Sequence, residues 1–232
     1  MDEGPYRGAV LFDLDGTLID SEPVWAAANS RLLRSRHAEM TDEILHNLSG
    51  LDSTLAMRYL HDRFGWVDLD VTGDVAWVEN QVRQEYAEGV NWLPGARELL
   101  AAVRREGLAI GLVTSTYRTL VSYVLADAGP DCFDVVVCGD DEGLAPKPAP
   151  APYRRAMQLL DLPASACIAV EDSARGVASA LAAGCRVVHV SRHGFSPRAH
   201  RHARRLADIT AADLLQLLGV PRASYSALPT GR

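Results

Sequence analysis

Short apolar runs alternate with segments whose apolar residues recur every three to four positions. Gly8–Asp13, reading Gly-Ala-Val-Leu-Phe-Asp, is the first of five runs of buried-strand type. The others are Leu108–Thr114, Phe133–Cys138, Cys167–Val170 and Arg186–Val190. Helical patterns lie between them. Pro94–Glu106 places apolar residues at Ala96, Leu99, Leu100 and Val103, has a proline at its start and stops at Gly107. Tyr117–Ala128, Pro152–Leu160, Ser173–Ala183 and Ala211–Leu218 follow the same period. Strands separated by helices pair in parallel, because the chain must cross back over the sheet before re-entering it. The pattern predicts an α/β fold with a doubly wound, Rossmann-like parallel sheet.

One region breaks the alternation. From Glu22 to about Gly89 there are four helical stretches, Val24–Arg36, Thr41–Leu48, Ser53–Phe64 and Gly73–Glu88, and no strand pattern. Such an insert fits an all-helical cap seated on the sheet domain. Its edges fall near Asp20–Pro23 and Val90–Gly95. The expected domains are therefore a core of residues 1–20 and 91–232, with a cap of residues 21–90. The last residues, Arg222–Arg232, are expected to fray.

Composition narrows the function class. The chain has 232 residues, 48 % apolar and 23 % charged, enough for a sizeable core and too apolar for disorder. The longest uncharged stretch, Gly107–Tyr117, is too short to span a bilayer, and no secretory signal is visible, so a cytoplasmic protein without a membrane partner is expected. Cys132, Cys138, Cys167 and Cys185 show no metal or redox spacing and read as buried thiols. The net charge of −7 argues against a nucleic-acid partner. Between Ser191 and Ala207, however, stand Arg192, Arg198, Arg201, Arg204 and Arg205, three histidines and no acid. That stretch reads as a solvated loop, with steering of an anionic substrate or binding of nucleic acid as the alternatives. His200 and His202 lack further partners for a metal site. Lys147 is the sole lysine among 23 basic residues, which marks it as a candidate functional ammonium.

Four motifs fall where strands end, the edge at which open parallel sheets bind ligands. Asp13-Leu14-Asp15-Gly16-Thr17-Leu18 offers two carboxylates and a glycine that permits a sharp turn. Its glycine stands fourth, not sixth as in an EF-hand, which leaves an ordinary Asp-Gly turn as the rival. Val113-Thr114-Ser115 offers a hydroxyl and free backbone N–H groups, an anion cradle that is weak evidence alone. Lys147 stands among Pro146, Pro148, Pro150 and Pro152. Prolines at every second residue do not match the three-residue spacing of an SH3 ligand, so a stiff arm presenting an ammonium is the better reading. A strand-end loop carries little core packing, so Lys147 is expected to matter for turnover and little for stability. Glu171-Asp172-Ser173 again puts carboxylates at a strand–helix junction, where helix capping is the rival reading.

These four motifs, in this order, resemble the haloacid-dehalogenase-like superfamily of phosphotransferases, and the helical insert is similar to its C1-type cap. Asp13–Trp25 and the Glu171-Asp172-Ser173 run look like the β-phosphoglucomutase-like branch, which also holds sugar-phosphate phosphatases. The resemblance implies that Asp13 is the nucleophile, forming an aspartyl phosphate, and that Asp15 is the general acid and base. It implies Mg2+ held by Asp13, the Asp15 carbonyl and Asp172, with Glu171 a ligand or a partner of one. Lys147 would balance charge, and Thr114 with the Ser115 N–H would hold the phosphate. The cap turn Ser49–Thr54 has no basic residue to grip a second phosphate, and Arg58 is a turn or more away. That favours hydrolysis of a small phosphorylated metabolite, a sugar or polyol phosphate, over a phosphomutase. A non-catalytic binding module is the remote alternative, since no motif residue is missing. Trp25 and Glu22 are expected either to wall a sugar-sized pocket or to pack inside the cap.

Overall fold

The computed structural model describes residues 6–192 and 194–219; the expected fraying of Arg222–Arg232 lies outside them. Six strands form one sheet: β1 (Ala9–Phe12), β2 (Ala109–Val113), β3 (Val135–Val137), β4 (Cys167–Glu171), β5 (Arg186–Val190) and β6 (Arg201–Ala203). Their order is β3-β2-β1-β4-β5-β6, and every pair is parallel. Ala9 stands opposite both Ala109 and Cys167, and Phe12 opposite Leu112 and Val170.

Alternate residues of each strand serve opposite faces. Val10, Phe12, Ile110, Leu112, Ile168 and Val170 pack on one side. They meet α5 (Ala96–Arg105), α6 (Arg118–Ala128) and α9 (Ala211–Leu218) through Leu99, Val103, Leu120, Val124 and Leu214. Leu11, Val113 and Ala169 face the other way. There they meet Tyr153 and Ala156 of α7 (Ala151–Leu160) and Val177 and Ala180 of α8 (Ala174–Ala183). Strands covered on both sides are apolar throughout, which is why they read as continuous runs.

Four helices lie between β1 and α5: α1 (Glu22–Ser35), α2 (Asp42–Leu48), α3 (Ser53–Phe64) and α4 (Val71–Glu88). Thr41, Asp52 and Asp70 cap α2, α3 and α4 by accepting from the N–H groups of Ile44, Leu55 and Thr72. Leu32, Leu33, Ile44, Met57, Leu60, Val78 and Val82 form their apolar interior. A polar knot sits beside it: the His61 ring spans the Trp66 carbonyl (3.1 Å) and Asp74 (2.7 Å), and Asp74 also binds Arg36. The two segments joining these helices to the sheet are tied to each other, Leu93 N–H to the Leu18 carbonyl (2.9 Å) and Asp20 N–H to the Asn91 carbonyl (2.8 Å). No helix among the described residues is long and apolar enough to cross a membrane.

The basic stretch differs from the expected loop. Arg201–Ala203 forms the edge strand β6 on β5, Arg201 pairs with Asp213 and Arg205 with Asp208. A three-residue strand that begins at Arg201 and is followed by Arg204 carries no apolar run to announce it, and charged residues there discourage further strand pairing.

Candidate active site

The chain runs outward from β1 through β2 and β3, then returns to β4 on β1's other side. The crevice between the carboxyl ends of β1 and β4 is therefore the topological switch point. Asp13 and Asp15 leave β1 on one side of it, and Glu171 and Asp172 end β4 on the other. Ser115 and Thr116 follow β2, and the proline-flanked loop brings in Lys147.

Lys147 is 3 % exposed and uses its whole ammonium. Its three hydrogen bonds run from Nζ to Asp13 Oδ1 (2.6 Å), Glu171 Oε1 (2.6 Å) and the Val113 carbonyl (2.9 Å). Burial alone would lower its pKa, but the Asp13 and Glu171 carboxylates outweigh that and hold it above the usual lysine value. Arg175 anchors the loop by donating to the Lys147 carbonyl, and the Lys147–Pro148 peptide is cis.

Glu171 is 0 % exposed and fully engaged. Besides Lys147 it accepts from the Tyr153 hydroxyl (2.6 Å) and from Ser173 Oγ (3.3 Å). Its carboxylate occupies the space beside Gly176 in the first turn of α8, where an added Cβ would come within 1.9 Å of it. Glycine at 176 is what lets a buried carboxylate reach the positive end of that helix.

Asp15 is held from both of its oxygens. Oδ2 accepts from Thr116 Oγ1 (2.5 Å) and Thr114 Oγ1 (3.4 Å), and Oδ1 accepts from the Trp25 indole on α1 (3.3 Å). Trp25 is thus a link between the helical insert and the acid–base candidate, while also lining the cavity.

Carboxylate oxygens of Asp13, Glu171 and Asp172 lie within 4.8 Å of one another. Burial raises the Asp13 carboxyl, Lys147 opposes this, Glu171 and Asp15 add to it, and the outcome is a pKa of about 7. Burial, then the Asp13 and Glu171 charges, push Asp172 well above the carboxylate range. Gly16 (φ +76°) makes this crowding possible, since a Cβ there would stand 2.3 Å from Asp172 Oδ2.

Above these groups opens a cavity of about 670 Å3. Its floor is Asp13, Asp15, Ser115, Thr116, Lys147 and Asp172; its roof comes from α1, α2, α3 and the Ser49–Leu51 turn, with Val75 and Val78 of α4. Lys147 is the sole lysine or arginine lining it among the described residues, and Arg58 is exposed and elsewhere. Gly50 (φ +71°) seats the turn against Ser173, whose side chain would lie 3.1 Å from a Cβ there.

All seven residues singled out in the sequence converge on this crevice, with one difference of orientation. Thr114 is buried behind the cavity wall, its hydroxyl accepting from Thr116 N–H (3.0 Å) and turned to Asp15, so Ser115 and Thr116 meet the cavity instead. Thr116 is not among the residues singled out in the sequence; it lies in a bend beyond the end of β2, where strand alternation no longer says which way a side chain points. The histidines of the basic stretch play local roles. His200 accepts from Val187 N–H (3.1 Å), and His202 packs on Phe195 with ring centroids 4.8 Å apart. Cys138, Cys167 and Cys185 are buried thiols pushed up to about 12 by burial, and half-buried Cys132 is raised for the same reason.

A model of the haloacid dehalogenase-like hydrolase family matches residues 8–184. Hexitol phosphatase A of Escherichia coli is 34 % identical over 188 residues, spanning 81 % of this chain and 85 % of its own. A plasmid-borne phosphoglycolate phosphatase of Cupriavidus necator is 34 % identical over 194 residues, with 81 % and 82 % covered. The crystal structure of CbbY from Rhodobacter sphaeroides in complex with phosphate superposes with a TM-score of 0.75 at 25 % identity, covering 87 % of this chain and 95 % of that one. With the family match extending over most of both the sheet and the helical insert, the chain belongs to the haloacid dehalogenase-like hydrolases.

Proposed function

We propose that this enzyme is a magnesium-dependent phosphatase that hydrolyses a monophosphate ester of a sugar or polyol through a phosphorylated Asp13. One observation carries the reading: Asp13 is fixed by Lys147 beside Asp172 and Asp15, on the floor of a cavity large enough for a sugar-sized leaving group.

The donor set suits Mg2+. It consists of the Asp13 and Asp172 carboxylates with the Asp15 backbone carbonyl, all hard oxygens without sulfur or imidazole. Raised pKa values at Asp13 and Asp172 mark carboxylates crowded together and short of positive charge. Glu171 has its own three donors, so its role is to position Lys147 rather than to ligate. Bound Mg2+ supplies charge neutralisation for the phosphoryl oxygens and the carboxylates around them.

The Asp13 carboxylate attacks phosphorus in line, and the bond from phosphorus to the alcohol oxygen breaks. Asp15 donates its proton to that leaving oxygen. In the second step Asp15 takes a proton from water, the water oxygen attacks phosphorus, and the Asp13–phosphorus bond breaks to release inorganic phosphate. Thr116 and Trp25 keep the Asp15 carboxyl in one orientation through both steps. Lys147 balances charge at Asp13, and Ser115 borders the phosphate position.

The roof supports a neutral leaving group. A second phosphate or a carboxylate on the substrate would meet no lysine or arginine there, only His46, while Asp42 and Glu22 line the same space. Hydrolysis is favoured over phosphomutase activity on that ground. With Mg2+, hexitol 6-phosphate is expected to release phosphate faster than phosphoglycolate does, and β-glucose 1-phosphate is expected to yield no glucose 6-phosphate. Isomerisation of β-glucose 1-phosphate faster than phosphate release would reverse the assignment.

A further inference from the structure

Helix α1 turns one face to the cavity: Glu22, Trp25, Ala26 and Asn29, at spacings of three, four and seven, all line it. Asn29 is the anomaly on that face. It is 6 % exposed, yet only half of its amide is satisfied. Nδ2 donates to the Trp25 carbonyl one turn back (3.0 Å), and Oδ1 has no hydrogen-bond partner among the described residues. Rotating the amide gives no escape, because Oδ1 would then face the Trp25 carbonyl, acceptor against acceptor. A buried amide oxygen without a donor is a standing cost to the fold. A binding site can tolerate that cost where the ligand brings the missing donor.

The donor's chemistry follows from what surrounds it. Glu22 and Asp42 line the same cavity, but the substrate class proposed above, a sugar or polyol ester, brings hydroxyls rather than an ammonium. A hydroxyl donates without charge. Asn29 stands one helical turn, about 6 Å, along α1 from Trp25, whose indole touches Asp15. A donor reaching Asn29 therefore sits on the leaving group several bonds beyond the ester oxygen that Asp15 serves.

We propose that Asn29 is a specificity-determining residue, whose Oδ1 accepts a hydrogen bond from a hydroxyl of the leaving alcohol remote from phosphorus. This inference rests on the phosphatase reading above and adds to it a residue that distinguishes a polyol from an alkyl chain of equal length.

The test pairs two esters with two proteins. Hexitol 6-phosphate carries the remote hydroxyls; n-hexyl phosphate has the same carbon count and none. Asn29→Leu keeps the number and branching of side-chain heavy atoms and removes the acceptor. In Asn29→Leu, kcat/KM for hexitol 6-phosphate is expected to fall at least tenfold, mostly through KM, with n-hexyl phosphate changed less than threefold. A merely structural role would lower both esters alike, and equal losses, or no loss with the hexitol ester, overturn the proposal. If Asn29→Leu does not fold, Asn29→Ser is read in the same way, its shorter hydroxyl no longer reaching the same donor. If the wild-type protein turns over neither ester, the phosphatase reading fails and this inference falls with it, an outcome distinct from turnover without discrimination.

Discussion

Replacing Lys147 with alanine removes a cation on which two buried carboxylates depend. Glu171 would keep only the Tyr153 hydroxyl and Ser173 Oγ, and it has no exposed surface through which water can compensate. Breaking a buried ion pair by deleting one partner costs about 3–5 kcal/mol, because the remaining charge stays buried. In a protein of this size each kcal/mol shifts the melting temperature by about 2–4 °C, so the expected fall is roughly 6–20 °C. The strand-end position of Lys147 in the sequence suggested almost no effect; its three buried acceptors reverse that expectation. Thermal unfolding by circular dichroism at pH 7.5 without metal is the assay. The double variant Lys147→Ala/Glu171→Gln tests the cause, since a neutral amide in place of the carboxylate removes the uncompensated charge and should recover part of the loss. Lys147→Arg keeps the charge but presents a planar fork where three convergent donors are needed. Its turnover is expected to fall between tenfold and about a hundredfold, the rate equivalent of one misplaced charge-assisted contact. A Lys147→Ala protein melting within 2 °C of wild type, or no recovery in the double variant, would refute the reasoning.

Other consequences are local. Gly16→Ala sets a methyl 2.3 Å from Asp172 Oδ2 at a left-handed backbone position, and should abolish Mg2+-dependent turnover; activity within threefold of wild type would show that Asp172 can retreat harmlessly. Without metal, Asp13 is raised from 3.8 to about 7, so the folded protein holds a proton that the unfolded chain releases first. Metal-free stability should therefore fall as pH rises between about 4 and 7, and Mg2+, which competes with that proton, should raise the melting temperature more at pH 8 than at pH 6; equal gains at both would contradict it. Chelation should stop turnover and Mg2+ restore it, with Ca2+ a poor substitute because its looser shell spoils in-line geometry; full activity in excess chelator would count against the metal.

Much of the architecture was legible because the strands are buried on both faces and announce themselves as apolar runs. The helical insert was legible through the loss of that alternation. The short edge strand Arg201–Ala203 was not, since charge and brevity hide it. At the site, strand-end placement alone groups Asp13, Asp15, Lys147, Glu171 and Asp172 at one edge of the sheet. Their division of labour was hidden. Whether Glu171 ligates or positions depends on counting the donors around it, and Tyr153, the residue that completes that count, reads in sequence as an ordinary helix aromatic. Thr114 was expected to face the phosphate, but the bend after β2 turns its hydroxyl behind the wall, and Thr116, which the sequence reading did not single out, lines the cavity in its place. Asn29 left no trace in the sequence, where an asparagine on an amphipathic helix passes for a surface residue.

The central claim is that phosphorus passes through Asp13. During steady-state turnover with Mg2+, an acid quench followed by borohydride reduction converts an acyl phosphate to the corresponding alcohol, so phosphorylated Asp13 would become homoserine. Peptide mass spectrometry is expected to find homoserine at position 13, dependent on both substrate and Mg2+, and Asp13→Asn is expected to remain folded with turnover at background. Turnover without homoserine at position 13, together with an Asp13→Asn protein that keeps a tenth or more of wild-type activity, would contradict the account.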